Sequence, residues 1–318
     1  MEHRPLGSTG LSIAPLVLGG NVFGWTIDEA RSFEVLDAFV DHGFDAIDTA
    51  DCYSAWVPDN KGGESETIIG NWLKARPGLH DRITIFTKVG SVDGGPHPQG
   101  LSERWIMEAV EKSLRRLNVE QIDLYFAHWP DPAGTSYQET LGAFHKLIEA
   151  GKVKAIGVSN VDAAQLEESL NVARAENLPS YQVLQPEYNL YDREKFEGPL
   201  RDLCIGQGIG VVTYYSLASG FLSGKYRSTG DFGKSQRGGR MKKYLNDRGE
   251  KILKTLDDVS AAHGAKPAEV ALAWLIAREG VTAPIASATS TAHVQSFARA
   301  VALKLSADER AALTAAGA

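Results

Sequence analysis

The chain contains few of the features that mark secreted, disulfide-rich or membrane-spanning proteins. Only two of its 318 residues are cysteine, Cys52 and Cys204, and they form no Cys-x-x-Cys pair. This argues against a disulfide framework or a structural zinc site and fits a reducing compartment. No stretch approaches the ~18 uncharged apolar residues of a membrane helix, and the start, MEHRPLGSTGLS, lacks the apolar core of a signal peptide. We therefore expect a cytoplasmic protein without a membrane span.

The charge balance also excludes one class of partner. The formal net charge is −7, and no run of lysine and arginine occurs that would line a polyphosphate groove. Nucleic acid is therefore not expected as a partner, and the acidic surface fits a monomer or a weak oligomer. The hydrophobic share of 43% and the charged share of 23% are ordinary for a globular protein.

Several catalytic signatures are missing as well. The sequence contains no HxH, HExxH or GxSxG. A metal hydrolase would gather several histidine and aspartate ligands at strand ends, but here only His128 lies at such an end, so we expect no metal. Cys52 is adjacent to Tyr53, but no paired base is evident for a cysteine nucleophile.

Strand-like and helix-like segments alternate along most of the chain. Eight strands are predicted to begin at Leu16, Ala46, Ile83, Ile122, Lys154, Val183, Gly210 and Pro284, each followed by a helix. This alternation implies a parallel sheet. Eight units over the length of the chain predict an α/β fold, a (β/α)8 TIM barrel that forms a single domain over residues 1–318. A hairpin around Gly7–Gly10 would close the bottom. The alternative is a doubly wound open sheet, which needs a GxGxxG turn that LGGNVFG does not supply.

The alternation is interrupted once, from Tyr215 to about Arg248. This segment is rich in glycine and polar residues. A loop of this length inside a compact domain is usually functional or disordered.

Four polar side chains follow apolar runs that are predicted to be neighbouring strands. Asp48 and Tyr53 follow one strand in AIDTADCY. Lys88 ends the next in ITIFTKV, and His128 ends the third in IDLYFAH. Each alone has an ordinary interpretation as a cap, rim or loop residue. Their joint occurrence at adjacent strand ends favours a catalytic site, because a barrel places its active site there.

These four groups suit proton transfer to a carbonyl oxygen. A tyrosine phenol has an ordinary pKa of about 10, and a neighbouring lysine ammonium is expected to lower it. Asp48 would keep Lys88 charged and oriented, and His128 would hydrogen-bond the carbonyl oxygen. No side chain supplies electrons, so a reduction needs an external hydride donor.

The other strand ends carry groups that suit a nicotinamide cofactor. Ser159, Asn160 and Gln185 could grip a carboxamide, and Tyr214 could stack on a flat ring. The segment that begins at Ser216 and ends at Lys225 combines small side chains, backbone N–H groups and one cation, which suits a pyrophosphate. Ser287 and Thr289 precede a helix whose N-terminus could bind phosphate. For each, rim packing, a surface loop or an ordinary helix cap is the alternative.

The chain resembles the aldo-keto reductases. The motifs that carry the resemblance are GFDAIDTADCY, GGESETIIG, TKVG, SLRRLNVEQIDLYFAHWPDP, GKVKAIGVSN, QPEYNLY and SLASGFLSGKY, in the family's order and spacing. The longer loop after the seventh strand resembles the bacterial branch related to potassium-channel β-subunits. The resemblance implies reduction of aldehydes or ketones with NADPH, with Tyr53 as general acid, Lys88 and Asp48 tuning it, and His128 orienting the carbonyl.

The resemblance also implies the residues that contact the cofactor. The full set of candidates is Asn21, Ser159, Asn160, Gln185, Tyr214, Tyr215, Ser216, Leu217, Ala218, Gly220, Gly224, Lys225, Arg237, Ser287, Thr289 and His293. Trp25, Trp56 and Trp129 are candidates for the substrate pocket, where aromatic faces suit apolar or sugar-like carbonyls.

The chain departs from the family pattern near its last strand. Ser287 stands where the family usually has glycine, and Ser296 and Phe297 replace a Glu-Asn pair that grips the adenine end. No lysine or arginine is obvious for a 2′-phosphate in this segment, which leaves NADH as the alternative cofactor. The alternative function is a cofactor-sensing binding subunit with little turnover.

Overall fold

The computed structural model describes residues 1–92 and 95–318. Its centre is a closed barrel of eight parallel strands, which confirms the predicted (β/α)8 fold. In chain order the strands are Val17–Gly19, Ala46–Asp48, Thr84–Val89, Ile122–Ala127, Val153–Ser159, Val183–Gln185, Gly210–Thr213 and Ala283–Ala286. Below they are called the first to eighth barrel strands. Each begins within one residue of its predicted start, because alternating apolar periodicity bounded by turn residues is a strong local signal.

The N-terminal hairpin lies beneath the barrel, as predicted. Arg4–Pro5 pairs antiparallel with Ser12–Ile13. The side chains of Leu6 and Ile13 are fully buried and join the core inside the barrel. The Arg4 guanidinium donates to the carbonyl oxygens of Ile276 and Thr282. Thr282 directly precedes the eighth strand.

Helices surround the barrel. The first five are Glu29–Asp41, Glu64–Lys74, Glu103–Leu117, Tyr137–Glu149 and Ala163–Ala175, and the rest are Pro199–Gln207, Asp247–His263, Pro267–Ile276, Thr291–Ala302 and Ala307–Ala316. Ser102 accepts from the backbone N–H of Trp105 and is the N-cap of the third helix. A short antiparallel pair, Ser91–Val92 with Gly95–Pro96, follows the third strand. Within the described residues, no helix is both long enough and apolar enough to cross a membrane.

Local features set the positions of two helices. The sixth helix begins at Pro199, because Gly198 takes a non-helical conformation with φ 88° and ψ −131° and proline then occupies the first helical turn. The chain does not end with the helix after the eighth strand. Ala307–Ala316 forms a further helix, and a reciprocal capping box between Ser306 and Glu309 begins it.

The segment after the seventh strand is folded. It contains three 3-10 helices, Ala218–Ser223, Thr229–Lys234 and Gly238–Tyr244. Phe221, Leu222, Tyr226, Met241 and Tyr244 from this segment are buried. The segment therefore packs its apolar side chains into the main core between the barrel and the helices, and it covers one side of the barrel mouth.

Candidate active site

The site residues continue the inward-facing rows of the barrel strands. Side chains on a strand alternate between its two faces, so residues two apart point the same way. Ala46, Phe86, Phe126, Val183, Val212 and Ile285 fill the barrel interior. Two positions further along these strands stand Asp48, Lys88, His128, Gln185, Tyr214 and Ser287. Gly157 precedes Ser159 in the same way, and a Cβ added there would lie 2.4 Å from the Phe126 ring. The polar ring is thus the top layer of the barrel core.

Lys88 is the centre of the candidate catalytic group, which consists of Asp48, Tyr53, Lys88 and His128 and is called the catalytic group below. Its side chain is fully buried, and its ammonium donates to Asp48 Oδ2 at 2.8 Å, the Thr49 carbonyl at 2.7 Å and the Tyr53 hydroxyl at 2.9 Å. An ammonium has three N–H donors, so all three are used inside the protein. Lys88 is fixed beneath the phenol as a point charge.

The protonation of Tyr53 differs from the sequence expectation. Burial raises the pKa of Tyr53 well above its usual value, and the nearby Asp48 carboxylate raises it further. The hydroxyl lies 3.3 Å from Asp48 Oδ2, to which it can donate. The prediction that Lys88 lowers the pKa of Tyr53 is therefore wrong, because desolvation and the Asp48 carboxylate together outweigh the effect of the ammonium. Tyr53 is a neutral phenol with a proton available to give.

His128 is also neutral. Burial lowers the pKa of His128 well below its ordinary value, and the positive charge of Lys88 lowers it further. Its ring centroid lies 6.1 Å from that of Tyr53. On the other side, the Cys52 sulfur lies 3.9 Å from Nδ1. Burial raises the pKa of the Cys52 thiol to about 12, so this cysteine is a packing partner and not an activated nucleophile.

The residues predicted to grip a carboxamide are linked to one another. Gln185 donates to Asp48 Oδ1 at 2.8 Å, and Ser159 donates to the Gln185 carbonyl at 2.7 Å. Asn160 donates to the His128 carbonyl at 2.8 Å and accepts from the Tyr214 hydroxyl at 2.7 Å. These amides therefore hold the catalytic group and the Tyr214 ring in place, whatever they bind in addition.

A long cleft of about 1210 Å³ opens above the catalytic group. It is lined by most of the predicted cofactor residues: Asn21, Ser159, Asn160, Gln185, Tyr214, Tyr215, Ser216, Leu217, Gly220, Lys225, Arg237, Ser287, Thr289 and His293. Ala218 is fully buried beneath this lining, and Gly224 lies behind it, close to Pro267. The backbone takes positive φ at Tyr215, Ala218, Ser219, Gly220 and Gly224, which bends the segment around one side of the cleft.

The loop and the first strand meet across this cleft. Ser287 donates to Asn21 Oδ1 at 2.7 Å, and Arg237 from the loop reaches the same oxygen at 3.3 Å. The Arg237 guanidinium lies 5.0 Å from the centre of the Trp25 ring. The cleft is thus bridged near its middle by a cation that forms no ion pair with a carboxylate within residues 1–92 and 95–318.

The three predicted pocket tryptophans are placed differently. Trp56 and Trp129 line the cleft. Trp56 lies 6.1 Å from the Tyr53 ring and is 37% exposed. Trp25 lies one layer back, packed edge-on against Trp56 with 5.5 Å between ring centroids. Aromatic faces therefore surround the phenol on its open side.

The unusual segment after the last strand forms a network of its own. Ser296 donates to Glu269 Oε1 at 2.8 Å, and Arg299 Nε donates to the same oxygen at 2.7 Å. Glu269 is buried, and its Oε2 accepts from the Lys266 backbone N–H. Thr289 donates its N–H to His293 Nδ1 at 3.2 Å. Ser296 and Phe297 line the same end of the cleft.

Residues 15–318 match the sequence model of the Aldo/keto reductase family. The chain belongs to this family. The family is an oxidoreductase class that uses nicotinamide cofactors and acts on small carbonyl compounds.

Relatives among known proteins cover most of the chain. It is 33% identical over 315 residues to the uncharacterized oxidoreductase YrpG of Bacillus subtilis, covering 96% of this chain and 92% of that protein. It is 31% identical over 307 residues to a probable voltage-gated potassium channel subunit beta of Arabidopsis thaliana, covering 95% and 91%. An uncharacterized 11.2 kDa protein in the crtE 3′ region of Pseudescherichia vulneris is 66% identical over 91 residues, covering 29% of this chain and 88% of that protein. These matches support the branch indicated by the long loop.

The sequence did not predict several further residues that lie at or near this site. The Thr49 carbonyl binds Lys88, and the only local signal was its position next to Asp48. Lys266, the N-cap of the helix Pro267–Ile276, also lines the cleft. Behind the catalytic group, Asp51 Oδ1 and the Tyr125 hydroxyl are buried without hydrogen-bond partners among the described residues. Burial and the nearby Glu66 raise the pKa of the Asp51 carboxyl well above its usual value.

Proposed function

We propose that this protein reduces aldehydes or ketones with NADPH or NADH, with Tyr53 as the proton donor, and oxidises the corresponding alcohols in the reverse direction. The observation that carries the proposal is the position of the half-buried Tyr53 phenol. Its hydroxyl lies 2.9 Å from a fully buried lysine ammonium and faces a long cleft. Few other reactions need a neutral phenol above a buried cation.

The cleft fits a dinucleotide and a small substrate together. Sites for a single small ligand are usually about 300–1,000 Å³, and this cleft is larger. Tyr214 offers a ring face whose hydroxyl is fixed by Asn160. Lys225, Arg237 and Lys266 line the cleft and can offset phosphate charge. A bound nicotinamide would supply the hydride.

The chain's own groups would handle the proton. Tyr53 would give its hydroxyl proton to the oxygen of the carbonyl group as negative charge develops there. The Lys88 ammonium would then stabilise the phenolate that remains, because an opposite charge at hydrogen-bond distance favours the ionised form. His128, held neutral, would donate one N–H to the same oxygen. Asp48 would keep the ammonium oriented, and Trp56 and Trp129 would cover the reacting group.

The similarity to a probable channel subunit beta favours a second candidate function. In that case the same cleft would hold the cofactor for binding and sensing, with little turnover. Steady-state cofactor consumption separates the two. Tight cofactor binding with negligible turnover across a panel of aldehydes and ketones would favour the sensor.

The test of the proposed proton donor is Tyr53→Phe. Loss of a general acid costs roughly 10²–10⁴-fold in rate, so we expect kcat to fall by that factor while cofactor affinity stays near the wild-type value. Fluorescence titration measures the affinity, and absorbance of the reduced nicotinamide measures the rate. Tyr137→Phe, on an outer helix, is the control. Wild-type turnover in the Tyr53→Phe protein would overturn the assignment.

A further inference from the structure

Two lysines line the cleft at its end away from Tyr53 without acidic partners. Lys225 ends the loop segment after the seventh strand, and Lys266 is the N-cap of the helix Pro267–Ile276. Neither ammonium forms an ion pair with a carboxylate in the described parts of the chain. Two acidic groups of the neighbouring segments are engaged elsewhere, since Asp231 pairs with Lys234 and Asp257 with Arg227. The two charges are therefore available to a ligand.

The two segments that carry these lysines approach each other closely. A Cβ added at Gly224 would lie 3.2 Å from the Pro267 ring, so the residues before Lys225 and after Lys266 pack against each other. Both ammonium groups also act on one neighbour. Burial lowers the pKa of His293, and Lys225 and Lys266 lower it further. The end of the cleft thus has a positive potential from two separate segments, those of Lys225 and Lys266.

Glu269 does not cancel this charge, although it lies only three residues after Lys266. Its Oε1 accepts from Ser296 and Arg299, and its Oε2 accepts from the Lys266 backbone N–H. Arg299, the cation closest in sequence to the altered Ser296 and Phe297 positions, is thereby held on Glu269. Lys266 and Lys225 are thus the lysines that line this end of the cleft without a carboxylate partner in the described parts of the chain.

His293 adds an uncharged donor. Its Nδ1 accepts the Thr289 N–H at 3.2 Å, which places the ring proton of a neutral imidazole on Nε2. Two ammonium groups and one N–H donor are the complement of a dianionic phosphate monoester.

We propose that Lys266, together with Lys225 and His293, binds the 2′-phosphate of NADP(H) and is the residue that makes this protein prefer the phosphorylated cofactor. The inference rests on the proposed function for the use of a nicotinamide cofactor. It places the determinant on the helix before the eighth strand, and not in the segment after that strand.

Fragment binding tests the inference without any turnover. Adenosine 2′,5′-bisphosphate and 5′-AMP differ by the 2′-phosphate, and isothermal titration calorimetry measures both. We expect the wild-type protein to bind the bisphosphate about 10- to 100-fold more tightly, the range for charge-assisted hydrogen bonds. Lys266→Ala should remove most of this difference, and Lys266→Glu should abolish it, with 5′-AMP binding nearly unchanged.

Lys254→Ala, an exposed lysine paired with Asp258, is the matched control and should leave the difference intact. Equal affinity of the wild type for both fragments would overturn the inference, as would a Lys266→Ala protein that keeps the full difference. Failure of the proposed function has another signature, because the protein would then oxidise neither NADPH nor NADH with aldehydes or ketones, whatever the difference between the two fragments.

Discussion

Gln185 donates its side-chain amide to Asp48 Oδ1 at 2.8 Å, and the two residues are 137 positions apart in the chain. They lie on the sixth and second barrel strands, so the bond crosses the barrel mouth. Lys88 donates to the same carboxylate from the third strand. Asp48 is therefore held from two sides, and the aspartate that orients the lysine is itself oriented by a residue that the sequence indicated only as a cofactor contact.

We predict that Gln185→Leu weakens both stability and turnover. The substitution removes the amide donor to a buried carboxylate oxygen, which then has only the Lys88 ammonium at 2.8 Å among the described residues, and a hydrogen bond to a charged group is worth about 1.5–3 kcal/mol. Chemical denaturation should show a loss of that size, and kcat should fall with it. Gln182→Leu, which loses a bond to Ser8 at the other end of the barrel, should leave kcat unchanged. Unaltered stability in Gln185→Leu would mean that this residue serves the cofactor alone.

Lys88→Met is predicted to be strongly destabilising. It leaves Asp48 as an unpaired buried charge, and breaking a buried pair in this way costs about 3–5 kcal/mol. The double variant Lys88→Met with Asp48→Asn should recover part of that loss, because the orphaned charge is gone. Free energies of unfolding for the four proteins of this cycle give the coupling. Additive effects of the two substitutions would contradict a paired charge.

The neutral His128 predicts a pH dependence of stability. In the unfolded chain its imidazole titrates near pH ~6.5, whereas in the folded protein burial holds its pKa well below that value. Between the two pKa values the unfolded state binds more protons, so the free energy of unfolding falls as pH decreases through this window. The advantage of the wild type over His128→Asn should therefore shrink from pH ~7 to ~5. The half-buried His145 on the fourth helix provides a baseline as His145→Asn, and parallel curves for wild type and His128→Asn would refute the prediction.

Tyr125→Phe is predicted to be neutral or stabilising. Its hydroxyl is buried without a partner among the described residues, and desolvating such a group costs about 1–3 kcal/mol. Tyr188→Phe is the matched opposite, since that hydroxyl donates to Glu197 and accepts from Arg278, and its removal should destabilise. Thermal unfolding compares the two. Equal destabilisation would indicate that a bound water or ion serves Tyr125.

The strand positions, and the convergence of the four polar side chains at one mouth, could be predicted from local sequence patterns. The apolar alternation that ends in Asp48, Lys88 and His128 predicts each strand. It also predicts the face of the strand on which each of these three residues lies. Barrel closure then brings these ends together, because parallel strands share one mouth. The final helix was missed although Ser306 and Glu309 form a capping signature, since this helix lies outside the eight repeated units of the barrel.

Partner choice among polar groups did not follow from the sequence. Whether Gln185 meets Asp48 or a ligand depends on distances set by the whole barrel, and the same holds for Glu269 with Arg299. The pKa of Tyr53 was predicted in the wrong direction because desolvation and the Asp48 carboxylate together outweigh the charge of Lys88. Such balances need the burial of each group, which a sequence does not contain.

The order of the strands divides the site between two stretches of the chain. Asp48, Tyr53, Lys88 and His128 come from the first half of the barrel, and nearly all the residues proposed to hold the cofactor come from the second half. An engineer could therefore recombine the second half with that of a relative and exchange the coenzyme, while the acid–base machinery is inherited unchanged. The hydrogen bond between Asp48 and Gln185 joins the two halves, so such a chimera has to preserve its geometry.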